Sequence, residues 1–102
     1  MAKNRILVVE DNLLVSAAVK DILVEDGFDA VCAESAKDAA AALAKDQFNL
    51  VVLDMMLPDA NGRDLIPVWQ KDFPSMLIVM MTAHGDVPTA VECLRLGAHD
   101  FL

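Results

Sequence analysis

The sequence predicts one α/β domain, a doubly wound parallel sheet of five strands with helices on both faces. Three observations carry this expectation. Short apolar runs alternate with amphipathic stretches from one end of the chain to the other. Alternation of that kind, with short connections, builds a parallel sheet covered on both sides. The runs "ILVV" (after Arg5), "LVVL" and "MLIVMM" are apolar at consecutive positions, as in strands buried on both faces. Finally, 102 residues at 56% hydrophobic content suit a single compact domain, spanning residues 1–102, with a real core.

The elements follow in order. Residues 5–9 form the first strand. Asp11 or Asn12 caps a helix to about residue 26, with Val15, Ala18, Val19, Ile22 and Leu23 at helical spacing and Gly27 as its stop. "FDAVC" (28–32) is a weaker strand with the partial alternation of a sheet edge. Ser35 caps a second helix whose packing side is Ala36, Ala39, Ala40 and Leu43. Residues 50–53 form the third strand and end on Asp54. Asn61-Gly62 signals a turn before a third helix at about 63–72, with Pro67 near its first turn and Leu65, Ile66, Val68, Trp69 and Phe73 packing inward. Pro74 breaks that helix, and 76–81 is a central fourth strand. A loop at Gly85 and Asp86 starts a fourth helix, with Pro88 in its first turn. That helix turns Val87, Ala90, Val91 and Leu94 inward and ends at Gly97, and "HDFL" begins a fifth strand.

Composition narrows the function. Net charge is −8, from 16 acids against 8 bases, which excludes a basic footprint for direct nucleic-acid binding. Apolar runs are too short to span a bilayer or to serve as a secretory core, so the chain is expected in the cytoplasm, without membrane contact. Cys32 and Cys93 are far apart and read as reduced, partly buried thiols. Met55, Met56, Met80 and Met81 read as core and pocket fillers. His84 reads as a loop residue lining the pocket, and His99 as a surface residue at a strand edge.

Ligands of parallel α/β sheets bind at the carboxyl ends of the strands. After the first strand come Glu10, Asp11 and Asn12; after the third, Asp54; after the fourth, Thr82, Ala83 and His84. If the first and third strands are neighbours, three carboxylates converge. Their mutual repulsion invites a hard divalent cation, and Mg²⁺ suits one or two carboxylates, waters and a phosphate. Thr82 adds a hydroxyl for a phosphoryl oxygen. Asp54, alone at its strand end, is the nucleophile candidate, with Glu10 and Asp11 holding the metal. A hydroxyl-rich flavin-phosphate loop, a Walker A loop and a dinucleotide fingerprint are all absent. Aspartate-nucleophile phosphatases need a second acid two residues on, where this chain has Met56.

These segments closely resemble the receiver domain of bacterial two-component response regulators. "ILVVEDN" resembles the family's acidic pocket. "LVVLDMMLPDANG" resembles its phosphoacceptor segment, with a proline four and a glycine eight residues after the aspartate. "IVMMTAHGD" resembles its switch-hydroxyl segment, and "GAHDFL" the start of its last strand. The resemblance covers essentially the whole chain and is greatest to regulators with AAA+ transcriptional-activator output domains. It implies a CheY-like, flavodoxin-like sheet of order 2-1-3-4-5. It further implies that Asp54 accepts a phosphoryl group from a sensor histidine kinase, and that Asp11, Asp54 and the Met56 backbone carbonyl ligate Mg²⁺, with Glu10 assisting directly or through water. Thr82 would bond the aspartyl phosphate, Ala83 would leave it room, and Phe101 would be the switch aromatic, its alternative role being a core aromatic in the last strand. Such a domain is a switch for its own output domain, not an enzyme beyond its own phosphorylation and dephosphorylation, and it can form homodimers. The family's lysine, due about two positions past Leu102, and its final helix are not in this chain, which the resemblance reads as C-terminally truncated. Loss of that helix would uncover an apolar sheet face. A receiver fold used for docking or dimerisation without phosphorylation is the alternative, and a small phosphatase a third.

Overall fold

The structure, a computed structural model, describes residues 4–81 and 95–101. The expected fourth helix up to residue 94, with Thr82, Ala83, His84 and Cys93, lies outside the described residues, as do the side chains of Asp100 and Phe101 and all of Leu102; Arg95 and Leu96 are helical, and Gly97 follows them at φ +121°. The elements run β1 (Arg5–Val9), α1 (Leu13–Glu25), β2 (Asp29–Ala33), α2 (Ala36–Lys45), β3 (Leu50–Asp54), α3 (Gly62–Asp72), β4 (Leu77–Met81) and a two-residue β5 (Asp100–Phe101). All pairings are parallel, in the order β2-β1-β3-β4-β5. β1 and β3 are therefore neighbours, with Val9 opposite Leu53.

The period of two along each strand sorts the core into two layers. Leu7, Val9, Val51, Leu53, Ile78 and Met80 face the side of α2 and α3, where Ala39, Leu43, Ile66 and Trp69 complete the larger cluster. Ile6, Val8 and Val52 face the other side and meet Val19 and Leu23 of α1. Full burial of side chains such as Leu7, Leu53 and Ile78 contributes about 1.5–3 kcal/mol each.

The structure corrects several details of the helices. Ser16, Val19 and Leu23 form the inward row of α1, while Ala18 is exposed and Val15 and Ile22 are among its exposed apolar residues, with Leu13, Leu14 and Val24. The helix is apolar around most of its circumference, so spacing alone does not choose its buried face. The small Ser16 permits close approach to β2, and its carbonyl lies 3.9 Å from the Cys32 thiol. Cys32 itself is exposed on the edge strand rather than partly buried. In α2 the inward residues include Ala42 in place of Ala40, and in α3 Val68 is half exposed.

The boundaries shift by a residue where caps decide them. β2 starts at Asp29 and β4 at Leu77. Gly27, at φ +92°, ends α1 with Gly27 N–H donating to Val24 and Phe28 N–H to Leu23, so Phe28 belongs to the helix exit. Gly62 is the first residue of α3, which puts Pro67 in the helix interior rather than its first turn. There the proline lacks the N–H that a helical residue gives to the carbonyl four back. At the far edge of the sheet, His99 N–H donates to the Ile78 carbonyl at 2.7 Å. In return, Ile78 N–H donates to His99 Nδ1 at 3.0 Å.

Candidate metal and phosphoacceptor site

The register brings the carboxylates together. Val9 pairs with Leu53, so Glu10 leaves β1 beside Asp54, the last residue of β3. Asp54 shares its parity with Leu50 and Val52, and Glu10 with Ile6 and Val8, so both follow the pleat toward the α1 side. Glu10 N–H donates to the Ala33 carbonyl at 3.0 Å, which carries the extended chain one residue past β1. Asn12, not Asp11, caps α1: its Oδ1 accepts from Leu14 N–H at 3.0 Å and Val15 N–H at 3.3 Å. Asp11 is thus released from capping and stands exposed at the mouth.

One carboxylate oxygen from each of Glu10, Asp11 and Asp54 lies within 4.8 Å of the others. Glu10 is the buried member, at 7% exposure, and Asp54 is half-buried. Burial pushes the Glu10 carboxyl up to about 8; its hydrogen bond to Asp54 and the charges of Asp54 and Asp11 add to the effect. Without a cation, the Glu10 carboxyl is therefore biased toward its protonated form. Its Oε2 is buried and has no hydrogen-bond partner among the described residues. Three hard oxygen donors at this spacing, one with an orphaned buried atom, fit a small divalent cation such as Mg²⁺.

The exit from β3 is tightly built. Gly62 is buried against the Asp54 backbone: a Cβ there would lie 2.1 Å from the Asp54 carbonyl oxygen. Gly62 N–H donates to the Met55 carbonyl at 2.7 Å, Leu57 N–H to Ala60 at 3.1 Å, and Met56 bridges Asn61. Asn61 then caps α3 by accepting from Arg63 N–H at 3.0 Å. Met56 is 71% exposed, so its side chain fills no core; with Met55, Leu57 and Ala60 it lines an open surface pocket. Two contacts were not expected from the sequence. One is the approach of Gly62 to Asp54. The other is Asp59, whose carboxylate accepts from two backbone N–H groups of α2. Both join residues that only the fold brings together.

The response regulator receiver domain model matches residues 6–102. The response regulator protein FleR of Pseudomonas aeruginosa is 36% identical over 98 residues, 96% of this chain and 21% of FleR. PilR, a response regulator protein of the same species, is 34% identical across 100% of this chain and 23% of its own length. The chain thus spans about a fifth of the length of these curated relatives. Among solved structures, a CheY-like response regulator receiver domain protein from Methanospirillum hungatei superposes with a TM-score of 0.92 at 30% identity, covering 99% of this chain and 81% of that one.

Proposed function

The chain belongs to the response regulator receiver domain family of two-component signalling, and from that premise we propose that Asp54 is its phosphoacceptor, in a Mg²⁺-dependent transfer from the phosphohistidine of a sensor kinase. The observation that carries this is the convergence of Glu10, Asp11 and Asp54 within 4.8 Å at the carboxyl ends of β1 and β3. Mg²⁺, when bound, would neutralise charge on the transferring group. Asp11, Asp54 and the Met56 backbone carbonyl would hold it, with Glu10 assisting directly or through water. The step itself belongs to Asp54: one carboxylate oxygen bonds phosphorus in line as the nitrogen–phosphorus bond of the donor breaks. β3 is rigid here because it pairs on both sides, with β1 through Leu53 and with β4 through Asp54 itself. That rigidity presets the geometry of attack.

Thr82 follows Met81 in sequence and is proposed to bond the aspartyl phosphate, with Phe101 as the responding aromatic. The domain catalyses only its own phosphorylation and dephosphorylation. Its partners are proposed to be a sensor histidine kinase, an AAA+ and DNA-binding output domain, and a second copy of itself. Its proposed location is the cytoplasm; among the described residues no helix is long and apolar enough to cross a membrane. Incubation with acetyl phosphate and Mg²⁺, read by intact mass, should give a single phosphoryl adduct that chelation and Asp54→Asn both abolish. An adduct that persists in Asp54→Asn would remove the assignment.

A further inference from the structure

The loop leaving Asp54 is braced within itself and moored to a distant helix. The internal braces are the Gly62–Met55 and Leu57–Ala60 hydrogen bonds and the Met56–Asn61 bridge. The mooring is Asp59. Its Oδ1 accepts from Ala36 N–H at 2.9 Å and its Oδ2 from Lys37 N–H at 3.0 Å, across 22 and 23 residues of sequence. These two donors hold its carboxyl below the usual carboxylate range. Helix α2 has its own cap, because Ser35 Oγ already accepts from Asp38 N–H at 3.1 Å. It also carries Asp38 in its first turn to complement the helix dipole. Ala39 and Leu43 anchor α2 in the larger core. The helix is a fixed post, and the loop is the element that gains from the contact.

We propose that Asp59 is a positioning residue for the metal site. By tying the tip of the 55–61 loop to the N-terminus of α2, it holds the Met56 backbone carbonyl at the height the cation requires. This deepens the metal-assisted reading above and rests on it. The loop is short and braced, so displacement of its tip passes to Met56 instead of dissipating along the way.

The test is Mg²⁺ titration calorimetry on the whole 102-residue chain, with thermal unfolding alongside. Asp59→Ala should weaken Mg²⁺ about tenfold, the scale of outer contacts that orient metal ligands. Asp59→Asn keeps an acceptor oxygen and should recover part of the loss. Ala36→Pro removes one donor from the helix side. Proline is favoured at the first helical position, and Ser35 at φ −152°, ψ 167° already has the extended backbone suited to a residue before proline. That variant also sets a ring carbon where the N–H met Asp59 Oδ1, so it should expel the carboxylate, weaken Mg²⁺ about as much as Asp59→Ala, and add nothing to Asp59→Ala in the double variant. Wild-type affinity in Asp59→Ala or in Ala36→Pro, or no recovery in Asp59→Asn, would overturn the proposal while leaving the metal site standing. A wild-type chain that takes no Mg²⁺ would overturn both.

Discussion

Gly62→Ala places one methyl group against the backbone that presents Asp54. The added carbon would lie 2.1 Å from the Asp54 carbonyl oxygen, 3.0 Å from its carbon and 3.2 Å from Met55 Cα. Ordinary contact requires more than about 1 Å of retreat. β3 cannot supply it, because Asp54 pairs with Met81 and Leu53 with both Val9 and Met80. The start of α3 must move instead. That strains the 2.7 Å Gly62–Met55 hydrogen bond and the Asn61 cap. Overpacking costs about 1–3 kcal/mol and a lost cap about 1 kcal/mol, so the variant should lose about 2–4 kcal/mol in all. Urea unfolding measures this as a lower midpoint at unchanged slope. Mg²⁺ affinity should fall with it, since the displaced start of α3 pulls on the Met55 carbonyl through its hydrogen bond to Gly62, and through it on the 55–61 loop. A variant within about 0.5 kcal/mol of the parent, with parental Mg²⁺ affinity, would refute the close approach and the rigidity assigned to β3.

Glu10 makes stability pH-dependent. Its carboxyl lies at about 8 in the fold against an ordinary 4.5, so without cation the folded form holds a proton that the unfolded chain gives up in that window. Its contribution is complete below pH 4.5 and is lost as pH rises through about 8. The loss is on the order of 3–5 kcal/mol for this buried group. Thermal melts in chelator from pH 5 to 8.5 should show the decline, and Glu10→Gln should flatten it. Saturating Mg²⁺ should also flatten it, because cation and proton compete; a decline of equal size in Glu10→Gln would assign it to other groups. Asn12→Ala removes the α1 cap and should cost about 1 kcal/mol in urea. An Asn12→Asp variant should restore that stability, and failure to restore it would mean the cap is not what Asn12 supplies.

The sheet was legible because consecutive apolar residues at 6–9, 50–53 and 76–81 admit few other buried structures of that length. The acidic cluster was legible for a related reason. A carboxylate directly after such a run is costly unless it meets a partner, and strand adjacency supplied Glu10, Asp11 and Asp54 together. The face of α1 was not legible. Leu13, Leu14, Val15, Ile22 and Val24 outnumber its inward apolar residues, and the row through Ser16 contains a polar residue that periodicity discounts. Asp59 was hidden for a different reason: the stretch "LPDANG" describes a turn, and nothing local to it names Ala36 or Lys37 as its partners.

The edge of β4 carries a further consequence. His99 meets Ile78 twice, once through its own N–H and once through ring Nδ1, so one residue occupies both backbone groups that Ile78 turns outward. Among the described residues β5 pairs with Val79 and Met80. An open peptide at the margin of a sheet is a template on which another chain's strand can grow. Here the imidazole fills that template one residue before β5 begins, and a neighbouring molecule seeking to extend the sheet at Ile78 finds its N–H and its carbonyl already taken.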